Sequence, residues 1–201
     1  MLNRHFGRTD EMGKKLSEMT LEELWMLFPI SLTEHNDEWE KQYEEMEAFL
    51  KKQLSSCHVV RISHIGSTAV KHIWAKPIVD ILVEIASYEN MDLFAKIIES
   101  NGFIKMSESD GRISLNRGYT EGGFAEKVFH IHLRYAGDND ELYFRDYLND
   151  NPDIAKAYQE LKISLWHQYE HNRDAYTQAK TEFVRVYTAE AKRQYGKRYG
   201  L

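Results

Sequence analysis

The chain has 201 residues, 42% of them apolar, which suffices to bury the core of one domain better than of two. A formal net charge of −6 excludes a protein built mainly to grip a nucleic-acid backbone, so no extended nucleic-acid surface is expected, and no stretch approaches the ~18 apolar residues of a membrane span. The single cysteine, Cys57, excludes an internal disulfide and is expected as a small core residue; with no N-terminal apolar run of signal-peptide length, the expected location is the cytoplasm.

From the N-terminus, residues 1–28 are expected to form an appended helical arm, because Thr20 and Glu23 have capping-box spacing ahead of Leu24, Trp25, Leu27 and Phe28. Trp39, Tyr43, Met46 and Leu50 recur at helical spacing behind Asn36 or Asp37, which predicts an amphipathic helix over 37–54 with its aromatic stripe in the core. Val59, Val60, Ile62 and Ile65 make a strand that meets Gly66-Ser67, where a turn opens a short helix. Ile78, Val79, Ile81, Leu82 and Val83 then make a second strand carrying Asp80. Residues 91–100 form a helix closed by Asn101-Gly102. Strands at 103–106, 112–117 and 127–135 follow, punctuated by Gly111, Gly118, Gly122 and Gly123, with 120–125 as a mobile loop. From Asp138 the period turns helical. One helix holds Leu142, Phe144, Tyr147 and Leu148; Asn151-Pro152 caps and starts another that runs through Tyr158, Leu161, Leu165 and Trp166; a last helix from about Asp174 carries Tyr176, Phe183, Val184 and Tyr187. The fold class is α+β, a mixed sheet followed by a helical C-terminal third.

Residues 64–84 concentrate the chemistry. Gly66 allows a tight turn and close ligand approach, while the Ser67 hydroxyl and the free N–H groups of a following helix suit a phosphate. Asp80 on the next strand is a hard oxygen ligand for a divalent metal. His130 and His132 alternate with Ile131 and Leu133, so both imidazoles share a sheet face about 6.6 Å apart. If their strand neighbours that of Asp80, one can serve as metal ligand or proton-transfer group; the alternative is a hydrogen-bonded polar face without ligand, and His64 is open between the same two roles. Lys76, Arg145, Arg173 and Lys180 are the cations available to phosphates, set against the ordinary solvated helix face. Arg173 and Lys180, seven apart, share a face if their helix begins before Arg173.

The segments GSTAV, AKPIVDILV, HIHL, FRDYL and DAYTQAKTEF, in this order, resemble the GrpB-like family of the nucleotidyltransferase superfamily over roughly residues 30–190. The resemblance implies a nucleotidyltransferase-like domain over 29–201 and metal-dependent nucleotidyl or phosphoryl transfer to a small molecule, with a nucleoside triphosphate as substrate and Mg²⁺ or Mn²⁺ as cofactor. It implies Asp80, His130 and His132 as catalytic residues, Asp80 and His132 as metal ligands, and Gly66, Ser67, Lys76, Arg145 and Lys180 around the nucleotide. The superfamily pattern is Asp-apolar-Asp, yet here Leu82 stands at the second carboxylate. Glu84, next on that strand face, lies about 13 Å from Asp80, whereas paired metals sit ~3.5–4 Å apart, and it is expected as a solvated strand end. Leu82 supports the alternative, a catalytically degenerate nucleotide-binding module, and the family's fusion to a coenzyme A biosynthesis kinase suggests a link to coenzyme A metabolism. Leu82 and the paired histidines together predict a histidine-assisted site that prefers Mn²⁺, Fe²⁺ or Zn²⁺ to Mg²⁺.

Overall fold

Hydrophobic alternation in two adjacent strands sets the architecture of the computed structural model, which describes residues 14–200. Strands β1 (Val59–Ile65), β2 (Val79–Ile85), β3 (Ile104–Ser109), β4 (Arg112–Thr120) and β5 (Gly123–Tyr135) form one five-stranded sheet in the order β1-β2-β5-β4-β3. The pair β2·β5 is parallel and the others are antiparallel, so the sheet is mixed, as expected. On one face Val79, Ile81, Val83, Ile85, Phe129, Ile131 and Leu133 pack against α2 (Glu38–Gln53) and α3 (Met91–Glu99), through Trp39, Met46, Leu50, Phe94 and Ile98. The side chains that alternate with these, Asp80, Leu82 and Glu84 on β2 and His130, His132 and Arg134 on β5, point to the other face. There lie α4 (Asp140–Asp150), α5 (Pro152–Tyr169), α6 (Arg173–Ala179) and α7 (Thr181–Tyr195).

Several expectations hold in detail and several need correction. Thr20 and Glu23 form both bonds of a capping box on α1 (Leu21–Leu27), preceded by a 3-10 turn at Leu16–Glu18; residues 1–13 of the expected arm lie outside the described residues. The segment after Gly66 is a single 3-10 turn, Ser67–Ala69, and no helix, so no helix dipole adds to the turn's N–H groups. The 120–125 loop does not exist as such, because β4 runs to Thr120 and β5 restarts at Gly123. The last helix is two, α6 and α7, broken at Lys180, and Asn151 makes no side-chain cap: its amide donates to the Tyr147 carbonyl at 2.8 Å.

Candidate functional site

Parallel pairing puts Asp80 opposite His130 and Leu82 opposite His132, so the carboxylate and both imidazoles meet on one face. Asp80 Oδ1 lies 3.2 Å from His130 Nδ1 and 3.3 Å from His132 Nε2. Burial alone would raise the Asp80 pKa, but the hydrogen bonds from His130 and His132 override it and hold the carboxyl well below its usual range. Burial pushes the His130 pKa below its ordinary value against the pull of Asp80. The other carboxylate oxygen explains Gly66. That residue has φ +73°, and a Cβ built on it would lie 2.3 Å from Asp80 Oδ2, so the absent side chain makes room first of all for Asp80 itself.

The three donors fit a metal ion. Ligand atoms ~2.1 Å from an ion and ~90–110° apart lie roughly 3.0–3.4 Å from one another, which matches both Asp80 distances, and the ligand atoms of all three residues fall within 4.8 Å of each other. The two imidazoles differ behind the site. His130 Nε2 is 2.9 Å from the Tyr119 hydroxyl, which can accept the N–H that a ligating ring must place there. His132 Nδ1 has Arg134 Nη2 at 3.5 Å, a donor, which favours a proton on Nε2, toward Asp80.

These groups form the floor of a cavity of about 810 Å³, with Gly66 and Ser67 at its edge, a volume in the range of small-molecule sites. Lys76, Lys162, Arg173 and Lys180 form a cationic wall. Lys76 and Lys180 both lie over the Tyr176 ring, at 5.3 and 4.3 Å, and Lys162 lies over Tyr158 at 4.9 Å. Burial, reinforced by the neighbouring cations, pushes Lys76 and Lys162 down to about 7 and Lys180 to about 8. Cations crowded this way, with Asp80 as the one carboxylate acting on Lys76 and Lys180, could hold an anion.

Other expected residues have different places. The Arg145 guanidinium is engaged by the His64 carbonyl at 2.7 Å, by Asp146 at 2.7 Å and by the Tyr199 hydroxyl at 3.0 Å, so although it borders the cavity it braces β1 and the C-terminus. His64 pairs with Ile81 on the opposite face, stacks on Tyr43 at 4.9 Å and bonds Thr68 at 3.0 Å. Burial, with the Arg145 and His35 charges, pushes it to about 4 despite Asp80, and it braces the turn from behind. Glu84 is no solvated strand end: it is 1% exposed, paired with Arg61 at 2.8 Å and accepting from Asn139 at 2.9 Å and Gly137 N–H at 3.0 Å. Leu82 is sealed under Ile65 and Leu142, an apolar setting in which a carboxylate would be buried without water. Lys162 and Tyr119 were missed. Lys162, 2% exposed, sits on the buried stripe of α5 with Tyr158 and Leu165, and a lysine in an apolar stripe was the available signal.

Residues 29–190 match the family model described as GrpB protein. The UPF0157 protein YqkA of Bacillus subtilis is 30% identical over 185 residues, covering 89% of this chain and 53% of YqkA, so the chain spans about half of that relative's length. Glutamate-rich protein GrpB of Alkalihalophilus pseudofirmus is 32% identical over 161 residues, 77% of this chain and 91% of its own length. In fold, the chain is similar to the crystal structure of conserved protein GrpB from Enterococcus faecalis, with a TM-score of 0.71 at 32% identity over 82% of this chain and 99% of that one.

Proposed function

The chain belongs to the GrpB family, and from that premise we propose that its Asp80 cavity binds a nucleoside triphosphate with a divalent metal and transfers a nucleotidyl or phosphoryl group to a small acceptor. The observation that carries this reading is the convergence of Asp80, His130 and His132 within ligand distance on the floor of a cavity whose wall is lined by cations. In such transfers catalysis is mostly positioning and neutralisation of phosphate charge, and these are what the residues here supply. Asp80 and His130 hold the metal, which when bound neutralises phosphate oxygens. Lys76, Lys162, Arg173 and Lys180 bind the phosphate chain, Gly66 and Ser67 border it, and His132 holds Asp80 by a hydrogen bond from Nε2. The single carboxylate and the imidazole favour Mn²⁺ or Zn²⁺ over Mg²⁺.

Leu82 favours a second reading, a binding module that retains the anion pocket without the chemistry, since its burial forbids a two-carboxylate clamp. A role near coenzyme A metabolism belongs to that second reading. Calorimetric titration with ATP separates the two. A gain in affinity on adding Mn²⁺ that is lost in Asp80→Ala supports the transferase; equal binding with and without metal supports the module.

A further inference from the structure

Tyr119 stands directly behind His130, and we infer that, held by Arg173, it positions His130 as the imidazole that takes the metal, a role that rests on the proposal that the Asp80 site binds one. The backbone is shaped to deliver it. On β4, Asn116 pairs with His130 and Arg117 with Phe129, and the Arg117 guanidinium lies over Phe49, Phe103 and Phe129 on the opposite face. Strict alternation would send Tyr119 to the Arg117 face. Instead the register shifts between Arg117 and Tyr119, at Gly118 with φ +99°, and the Tyr119 ring comes to stack on His130 at 5.9 Å and 20°. A Cβ on Gly118 would lie 2.5 Å from the Lys127 carbonyl oxygen and 3.0 Å from Val128 Cα, so this bulge needs glycine. Behind the phenol, Phe28 and Phe124 pack at 4.7 and 5.2 Å.

Arg173 Nη1 donates to the Tyr119 oxygen at 2.9 Å, and that oxygen is 2.9 Å from His130 Nε2. With one lone pair taken by Arg173, the hydroxyl keeps a proton to donate and a lone pair to accept. Toward a metal-free site it donates to Nε2, and His130 gives its Nδ1–H to Asp80. Toward a metal it accepts from Nε2–H, and the Nδ1 lone pair is free to ligate. His132 has only a donor, Arg134, behind its ring, so it lacks this second state. Arg173 also faces the cavity, which joins the anion wall to the ligand triad through one phenol.

The test uses the full chain with Zn²⁺ alone as probe. Tyr119→Phe keeps the ring between Phe28 and Phe124 and removes only the hydroxyl. Its Zn²⁺ affinity is expected to fall ~10–100-fold, the usual cost of losing such a supporting bond, while affinity for inorganic tripolyphosphate in the presence of chelator changes far less, since the other wall cations do not touch Tyr119. Imidazole nitrogen NMR supplies the signature that a merely structural role would not produce: on Zn²⁺ saturation of the wild type, the His130 proton moves from Nδ1 to Nε2. Wild-type Zn²⁺ binding with undiminished affinity in Tyr119→Phe overturns the positioning role and leaves the metal reading standing, as does a Zn²⁺ response at His132 and not at His130. A wild type that binds no Zn²⁺ overturns both.

Discussion

Gly66 and Asp80 depend on each other at the scale of single atoms. A methyl group at Gly66 would strike Asp80 Oδ2 and would also strain a backbone at φ +73°. Gly66→Ala is therefore expected to displace the carboxylate and lower Mn²⁺ affinity about as much as Asp80→Ala does, measurable by calorimetry; wild-type affinity in the alanine variant would remove the contact from the argument. Asp80→Asn separates the two halves of the site by sign. It should abolish metal binding, yet strengthen chelator-insensitive binding of tripolyphosphate, because the carboxylate that opposes a polyanion is gone. The buried lysines add a pH dependence. Lys76 and Lys162 are depressed to about 7 from the usual lysine value of 10.5, so between these values the unfolded chain holds protons that the folded chain has released. Stability of the ligand-free protein should rise with pH over that window, while tripolyphosphate affinity falls, since neutral amines attract no phosphate. Parallel denaturant and binding series from pH 6 to about 10 check both slopes.

Breaks in regular elements place the side chains around the cavity. The bulge at Gly118 turns Tyr119 toward His130, and the break at Lys180 between α6 and α7 lets this residue, at the end of α6, reach over Tyr176 into the cavity. Gly118→Ala should cost ~1–3 kcal/mol of unfolding free energy from backbone strain, more if the Lys127 carbonyl cannot yield, and chemical denaturation measures it. On β2, Leu82 shows how an element forecloses chemistry. Placing a carboxylate there by Leu82→Asp should destabilise the protein by ~3–5 kcal/mol, since the charge would be buried beneath Leu142 and Ile65 without a partner, and it should create no second metal site. A folded Leu82→Asp protein that binds two Mn²⁺ ions would refute this.

Across the whole molecule the net charge is −6, yet Lys76, Lys162, Arg173 and Lys180 gather along one wall of a single cavity. Local concentration of one sign would let a small polyanion bind despite the acidic net charge. Because the wall comes from the segment before β2 and from α5, α6 and the α6–α7 junction, a ligand held there would tie the C-terminal helices to the sheet. No helix among the described residues is long and apolar enough to cross a membrane. Mn²⁺ or tripolyphosphate at 100 times its dissociation constant should add ~2.7 kcal/mol, which for a domain of this size shifts the melting temperature by roughly 5–11 °C in thermal scans. An unshifted melting temperature with either ligand would leave the cavity without an anion or a metal.

By itself the sequence determined most of the elements and which side chains share the Asp80 face of the sheet. Period-two alternation around Asp80 and in HIHL puts Asp80, His130 and His132 on the faces of their strands, and helical spacing locates the helices, because both patterns are local consequences of backbone geometry. Tertiary structure alone decided that β2 and β5 are neighbours in register, that Glu84 is buried in an ion pair, that Arg145 is a brace, and that Lys162 and Tyr119 stand at the site. The reason is physical: whether a charged side chain is solvated, paired or held for a ligand depends on groups distant in the chain, such as Arg61 with Glu84 and Trp74 with Lys162, and no local period encodes those meetings.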